Sequence, residues 1–134
     1  MLFPGDTLWR LRQPKDPSWI PFYCSWFANE MRKDNLGLIA VLVPEKYTVY
    51  RPLFSPPGAA QDEATQYLDQ VERGLKRAGI PVVNLLPVFR QAAIEGLADH
   101  RYVYRRDDTH WNRIGVEIAA DSIPFTCSRP PAPQ

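Results

Sequence analysis

The chain has little cysteine, little net charge and no long apolar run. Its 134 residues include two cysteines, Cys24 and Cys127, whose separation matches no metal-binding or redox spacing. A formal net charge of +1 provides no basic surface for nucleic acid or an anionic membrane. The apolar run at 38–43 falls far short of the ~20 residues that span a bilayer. We therefore expect no nucleic-acid partner and no membrane-spanning segment, and residues 1–5 lack the start of a signal peptide.

What the chain does contain is typical of a folded globular domain. Hydrophobic residues make up 45% and aromatic residues 12%, enough for a real core. The 14 prolines mark many turns, especially at 55–58 and 129–134. The sequence predicts an N-terminal loop segment over 1–17, one α/β domain over 18–123 and an unstructured Pro-rich tail over 124–134.

The first predicted element is a helix from Ser18 to about Asp34. Apolar residues recur at three- and four-residue intervals, and Ser18 is placed to cap its start. Further aromatic residues, Trp19, Phe22 and Trp26, form a second apolar face. This predicts a heavily buried helix, with Cys24 as a small buried side chain.

Residues 38–43, closed by Pro44, predict an interior strand of a parallel sheet that is covered on both faces. The segment 45–50 is then expected as a loop at the carboxyl end of this strand, where sites of α/β proteins are built. Lys46 and Tyr50 are therefore candidate site neighbours. The alternative is that Lys46 is an ordinary solvated lysine.

The next segments predict a βαβ unit. Residues 59–78 have the clearest amphipathic helical pattern, and 80–86 predict a second buried strand. A short helix over 88–97, an extended piece at 102–104 and a last helix capped by Asn112 follow. Two strands are few for an α/β sheet, so we expect the sheet to be incomplete.

A carboxylate precedes an imidazole by two residues in Asp108-Thr109-His110. Such a carboxylate can fix the tautomer of His110, leaving the other ring nitrogen free to accept a proton from a hydroxyl nucleophile. In the structural alternative, Asp108 caps the next helix and His110 packs beside Trp111. A metal site is disfavoured, because His100 and Asp107 add no recognised ligand spacing.

The order of these blocks resembles the SGNH hydrolase-like domain of the alginate O-acetyltransferase AlgX/AlgJ family. The matching blocks are an apolar strand running into Pro44-Glu45-Lys46 with Tyr50 nearby, a long helix, and a strand ending in Leu85-Leu86-Pro87. Tyr104-Arg105 then leads into the most specific block, residues 108–111, Asp-Thr-His-Trp. The resemblance spans about residues 36–121.

This resemblance implies an SGNH-like (flavodoxin-like) parallel sheet with flanking helices. It also implies that Asp108 is the triad carboxylate and His110 the general base, with Lys46, Tyr50 and Trp111 as candidate substrate contacts. In this family the serine nucleophile follows the Asp-x-His block on a later strand-to-helix turn. No serine after His110 has that setting, so no nucleophile is assigned. We expect the chain to be a fragment that is inactive by itself.

The function predicted from the resemblance is Ser-His-Asp O-acetyl transfer or acetyl-ester hydrolysis on hydroxyls of an exported polysaccharide. It implies no metal or organic cofactor. The partners would be the polysaccharide and an acetyl donor. A membrane-bound acetyl-transfer protein is one candidate for the source of the acetyl group. The location would be periplasmic or membrane-associated. One alternative is a non-catalytic module that binds carbohydrate or a partner protein; another is a linear site built from Thr7, Asp107 and His110.

Overall fold

The computed structural model describes residues 16–54 and 63–123. Most of the predicted N-terminal loop segment, the predicted tail, Thr7 and Cys127 lie outside these residues. The described elements are, in order, α1 (Trp19–Arg32), β1 (Ala40–Leu42), α2 (Lys46–Tyr50), a 3-10 helix (Arg51–Leu53), α3 (Glu63–Arg77), β2 (Val82–Asn84), α4 (Leu86–Glu95) and α5 (Arg113–Ser122).

The sheet of the described region consists of β1 and β2, which pair in parallel. Ala40 lies opposite Val82 and Leu42 opposite Asn84, and α3 connects the two strands along the chain. This arrangement confirms the predicted α/β class with a parallel sheet and flanking helices. A parallel pair needs a crossover of this kind, because its strands run in the same direction.

The prediction that β1 is covered on both faces is wrong. Ala40 and Leu42 pack against a cluster formed by Val71, Leu75 and Ile80. The alternate residues of the same segment, Ile39, Val41 and Val43, are 36–43% exposed. Since alternate side chains of a strand point to opposite faces, one face of β1 is packed and the other is open to solvent.

α1 forms where predicted, but it is much less buried than expected. Of its residues only Ala28 is fully buried, while its other side includes four aromatic residues that are more than half exposed: Trp19, Phe22, Tyr23 and Trp26. The Ser18 hydroxyl does not cap the helix; it donates to Asp16 at 2.7 Å. The half-buried Cys24 packs against the same cluster of Val71, Leu75 and Ile80 that contacts β1.

Two further boundaries differ from the predictions. Residues 46–50 form the short helix α2 and not a loop. The second strand ends at Asn84, and Pro87 lies in the first turn of α4, where a proline is tolerated because the first turn needs no backbone N–H. The Asn84 side chain accepts from the Leu86 N–H at 3.0 Å, which supplies the start of α4 with an acceptor.

The main core lies between α2, α4, α5 and the segment that leads into the Asp108 loop. Its members are Val49, Tyr50, Leu85, Leu86, Phe89, Ala93, Val103, Tyr104 and Ala119. The ring of Phe89 meets the rings of both Tyr104 and Trp111 edge to face, a favourable arrangement of aromatic pairs. The core therefore fixes the backbone on both sides of the Asp108 loop.

Candidate functional site

The Asp108 loop, residues 105–110, is closed at its base by backbone pairing. Tyr104 and Trp111 form an antiparallel bridge, and the Arg105 N–H donates to the His110 carbonyl at 3.0 Å. Just outside the bridge, the Asn112 N–H donates to the Val103 carbonyl at 3.1 Å. The loop is thus a short hairpin whose ends are anchored in the core.

α5 begins immediately after this hairpin and is capped as predicted. The Asn112 side-chain oxygen accepts from the Gly115 N–H at 3.1 Å, which satisfies one of the free donors at the helix start. The Asn112 amide also donates to the Tyr102 carbonyl at 2.5 Å. One side chain therefore joins the last helix to the segment that enters the loop.

Asp108 and His110 are in direct contact. Asp108 Oδ1 lies 2.7 Å from His110 Nδ1, and the same oxygen accepts from the backbone N–H groups of Thr109 at 2.5 Å and His110 at 3.2 Å. The hydrogen bond from His110, with smaller contributions from these N–H groups, holds the pKa of Asp108 below its ordinary value. An ionised carboxylate here favours a proton on Nδ1 and leaves Nε2 as the acceptor.

The pair is open to solvent on the Nε2 side. The side chain of His110 is 80% exposed and that of Asp108 40%, and within the described residues Nε2 has no hydrogen-bond partner. The structural alternative for this motif is wrong in one respect, because Asn112 and not Asp108 caps the following helix. The packing of His110 beside Trp111, the other part of that alternative, stays a prediction.

Lys46 lies beneath the loop and is buried. Its ammonium donates to the backbone carbonyl oxygens of Arg105 at 2.6 Å, Arg106 at 3.0 Å and Asp108 at 2.9 Å. The interpretation of Lys46 as a solvated loop lysine is therefore wrong. Its predicted contact with substrate stays untested, although burial leaves the ammonium little access to a ligand.

Two buried tyrosines support the same region. The Tyr50 hydroxyl accepts from the Val103 N–H at 3.0 Å, and the Tyr104 hydroxyl donates to the Pro44 carbonyl. Burial is the main cause that raises the pKa of both phenols, so both stay protonated and act as hydrogen-bonding groups at neutral pH. Tyr50 thus joins α2 to the segment entering the loop.

Trp111, the last predicted substrate contact, is half-buried. Its ring lies 5.5 Å from that of Phe89, nearly perpendicular to it. This contact buries part of the indole surface. A contact between Trp111 and substrate remains a prediction.

The serine hydroxyls of the described region are all used elsewhere. Ser18 donates to Asp16, Ser25 to the Pro21 carbonyl at 2.8 Å and Ser122 to the Ile118 carbonyl at 2.7 Å. Ser55 and Ser128 lie outside the described residues. Over 16–54 and 63–123, no group of three or more metal-binding side chains occurs.

Sequence reasoning placed Lys46, Tyr50, Asp108 and His110 in one site, and the structure brings them together around one loop. The sequence did not reveal that Lys46 donates hydrogen bonds to the loop carbonyls and that Tyr50 accepts one from the backbone of the segment before the loop. The signal was available: Lys46, Val49 and Tyr50 follow a three- and four-residue spacing, which on a helix places all three on one face. The expectation of a loop at 45–50 concealed this spacing.

Comparison with known proteins identifies the family of the chain. No curated protein and no solved structure matches the chain significantly. The protein family described as "SGNH hydrolase-like domain, acetyltransferase AlgX" matches residues 23–132, a range that includes both β-strands, Lys46 and the Asp108 loop. Because this match covers most of the chain, the protein belongs to the family of the SGNH hydrolase-like domain of acetyltransferase AlgX.

Proposed function

We propose that the protein takes part in O-acetyl transfer to, or acetyl-ester hydrolysis from, the hydroxyls of an exported polysaccharide, with Asp108 and His110 as its acid-base pair. The observation that carries the proposal is the 2.7 Å contact between Asp108 Oδ1 and His110 Nδ1, with the imidazole 80% exposed. Together with membership of the acetyltransferase family, this geometry favours the first two members of a Ser-His-Asp mechanism.

In this mechanism the serine comes from outside the described residues. His110 Nε2 accepts the proton of the serine hydroxyl as its oxygen attacks the acetyl carbonyl of the donor. Collapse of the tetrahedral intermediate expels the donor's alcohol, which takes that proton from His110, and leaves an acetyl-serine. A sugar hydroxyl, or water in hydrolysis, then attacks the acetyl-serine while His110 accepts its proton and returns it to the serine. The Asp108 carboxylate stabilises the imidazolium in both halves of the cycle.

No organic cofactor or metal takes part in these steps. The proposed partners are the polysaccharide and an acetyl donor, which a membrane-bound protein could present, and the proposed location is periplasmic or membrane-associated. In the described part of the chain, no helix is both long enough and apolar enough to cross a bilayer.

The test measures acetyl-ester turnover by the protein expressed from its complete reading frame. His110→Ala should abolish turnover, and Asp108→Asn should lower kcat by about 10⁴-fold because the imidazole loses its orienting anion. His100→Ala is the matched control, since it removes the chain's other histidine. Turnover that is unchanged in His110→Ala would rule out the catalytic assignment.

A second candidate function, a non-catalytic module that binds carbohydrate or a protein, is favoured by a different observation. Trp19, Phe22, Tyr23 and Trp26 place four aromatic rings on the exposed side of α1, and exposed apolar patches commonly mark interaction sites. If this function is the correct one, the wild-type protein shows no acetyl-ester turnover, Trp26→Ala weakens polysaccharide binding in calorimetry, and His110→Ala leaves that binding unchanged. Loss of turnover in His110→Ala would favour the enzyme.

A further inference from the structure

The environment of Lys46 differs from that of an ordinary structural lysine. Lysine is rarely fully buried unless it is paired, yet Lys46 is 3% exposed. Its Nζ atom lies within 3.0 Å of three carbonyl oxygens that belong to residues 105, 106 and 108. These three acceptors come from a single loop about 60 residues further along the chain, which makes the contact a specific long-range anchor.

The carbonyl groups need a cation at this position. Three carbonyl dipoles whose negative ends converge on one point repel one another, and an ammonium with three N–H donors satisfies all of them at once. A neutral side chain would leave the oxygens without these charge-assisted bonds, and the planar guanidinium of arginine has a different donor geometry. The loop conformation therefore depends on the Lys46 ammonium.

The charge balance around Lys46 also supports this interpretation. Burial lowers the pKa of Lys46, while the carboxylates of Asp107 and Asp108 oppose that effect. The two acidic residues of the loop thus help to keep its anchor protonated. Asp108 consequently has two connections to this anchor: its carboxylate interacts with the ammonium at a distance, and its carbonyl accepts a hydrogen bond from it.

We propose that Lys46 is a positioning residue: by anchoring the carbonyls of the Asp108 loop, it holds the Asp108 carboxylate against His110 Nδ1. It has no contact with substrate in this role and acts only through the loop backbone. The fixed carbonyl of Asp108 sets the position of its own side chain, whose Oδ1 lies 2.7 Å from His110. The consequence for turnover rests on the proposed function, whereas the effect on His110 does not.

The first test measures the tautomer of His110 by ¹⁵N NMR of the full chain, with His100→Gln used to assign the two histidines. In the wild type, the contact with Asp108 predicts the Nδ1–H tautomer of neutral His110. Lys46→Met keeps an unbranched side chain that is one heavy atom shorter, and it removes the three donors. We expect a folded Lys46→Met protein to lose the predominance of Nδ1–H. Lys76→Met removes an exposed lysine paired with Glu72 and should leave the tautomer unchanged.

A Lys46→Met protein that keeps the wild-type amide spectrum and the Nδ1–H tautomer would overturn the proposal. If the methionine variant fails to fold, Lys46→Gln decides in the same way, because its amide remains polar but lacks the charge and the third donor. Retention of the wild-type tautomer in a folded Lys46→Gln protein would equally refute the positioning role.

Turnover provides the second readout and separates the two proposals. If the acetyl-ester assay identifies His110 as essential, Lys46→Met should lower kcat by about 100-fold, because misplacement of a catalytic group by about 1 Å has an effect of this size. KM should be unchanged, since Lys46 does not contact substrate; a raised KM with normal kcat would contradict the proposal. A tautomer change in Lys46→Met alongside full activity of His110→Ala would reject the proposed function and leave the positioning role intact.

Discussion

The hydroxyl of Tyr50 accepts a hydrogen bond from the backbone N–H of Val103 at 3.0 Å. Both residues are fully buried, and they belong to parts of the chain more than 50 residues apart. α2, which directly follows the first strand, therefore holds the segment that enters the Asp108 loop. Together with the Lys46 anchor, this bond makes α2 the main support of the candidate site.

Tyr50→Phe tests this support. The phenyl ring keeps the packing, but the buried N–H of Val103 loses its acceptor, and a buried donor left unsatisfied costs about 1–3 kcal/mol. We expect the free energy of unfolding in urea to fall by this amount. Tyr23→Phe removes a hydroxyl from an exposed ring and should change it by less than ~0.5 kcal/mol. Equal stability of the two variants would show that the bond contributes nothing.

The approach of α5 to the same segment is equally close. A Cβ atom at Gly115 would lie 2.6 Å from the Val103 carbonyl oxygen and 3.1 Å from the Trp111 Cβ. Because these neighbours are backbone or directly attached to it, they cannot move aside easily. Gly115 is thus required by the contact between helix and loop.

Gly115→Ala should therefore destabilise the protein by about 1–3 kcal/mol, the usual range for overpacking in a core. Gly37→Ala is the matched control, since a Cβ at Gly37 meets nothing within 4 Å and should change stability by less than ~0.5 kcal/mol. Thermal unfolding of the two variants checks the difference. A Gly115→Ala protein as stable as the wild type would mean that α5 can shift away from the loop freely.

The sequence was sufficient to predict the α/β class, the parallel pairing and the Asp108–His110 pair, because each depends on local patterns. The continuous run at 38–43 and the two-residue spacing of Asp108 and His110 can both be read without a structure. The exposure of Trp19 and Val41 could not be predicted in this way. An apolar pattern specifies which side chains can be buried, but what covers them depends on the packing of distant segments.

The hydrogen bonds of Lys46 to the loop could not be predicted from the sequence for a related reason. Its ligands are carbonyl groups of residues 105, 106 and 108, and backbone carbonyls leave no trace in a sequence. Only the Val49 and Tyr50 spacing indicated that this lysine faces the core.

The Asn112 side chain connects α5 to the segment that enters the loop, and its removal should affect both. Asn112→Ala loses the cap on Gly115 N–H and the bond to the Tyr102 carbonyl. Loss of a helix cap alone costs about 0.5–2 kcal/mol, so we expect a decrease of about 1–2 kcal/mol in urea denaturation. Asn29→Ala, at an exposed position in α1, is the control. A change no larger than that of Asn29→Ala would contradict the double role of Asn112.

The contact between Asp108 and His110 predicts a specific dependence of stability on pH. Hydrogen bonding to His110 and to two backbone N–H groups holds the pKa of Asp108 below its ordinary value of 3.8. A carboxyl whose pKa is lower in the folded state stabilises the fold fully above its unfolded pKa. This stabilisation is lost as the pH falls below about 3.8 and through the lower folded pKa.

Asp108→Asn removes this titration. The wild-type free energy of unfolding, measured in urea at intervals from pH 6 to pH 2, should therefore fall more steeply below about pH 4 than that of the variant. Above about pH 5 the two curves should run parallel, since the carboxylate is ionised there in both the folded and the unfolded chain. Curves that stay parallel down to pH 2 would show that Asp108 titrates as in the unfolded chain. In that case the carboxylate would not be held against His110, and the acid-base pair on which the proposed function rests would be absent in solution.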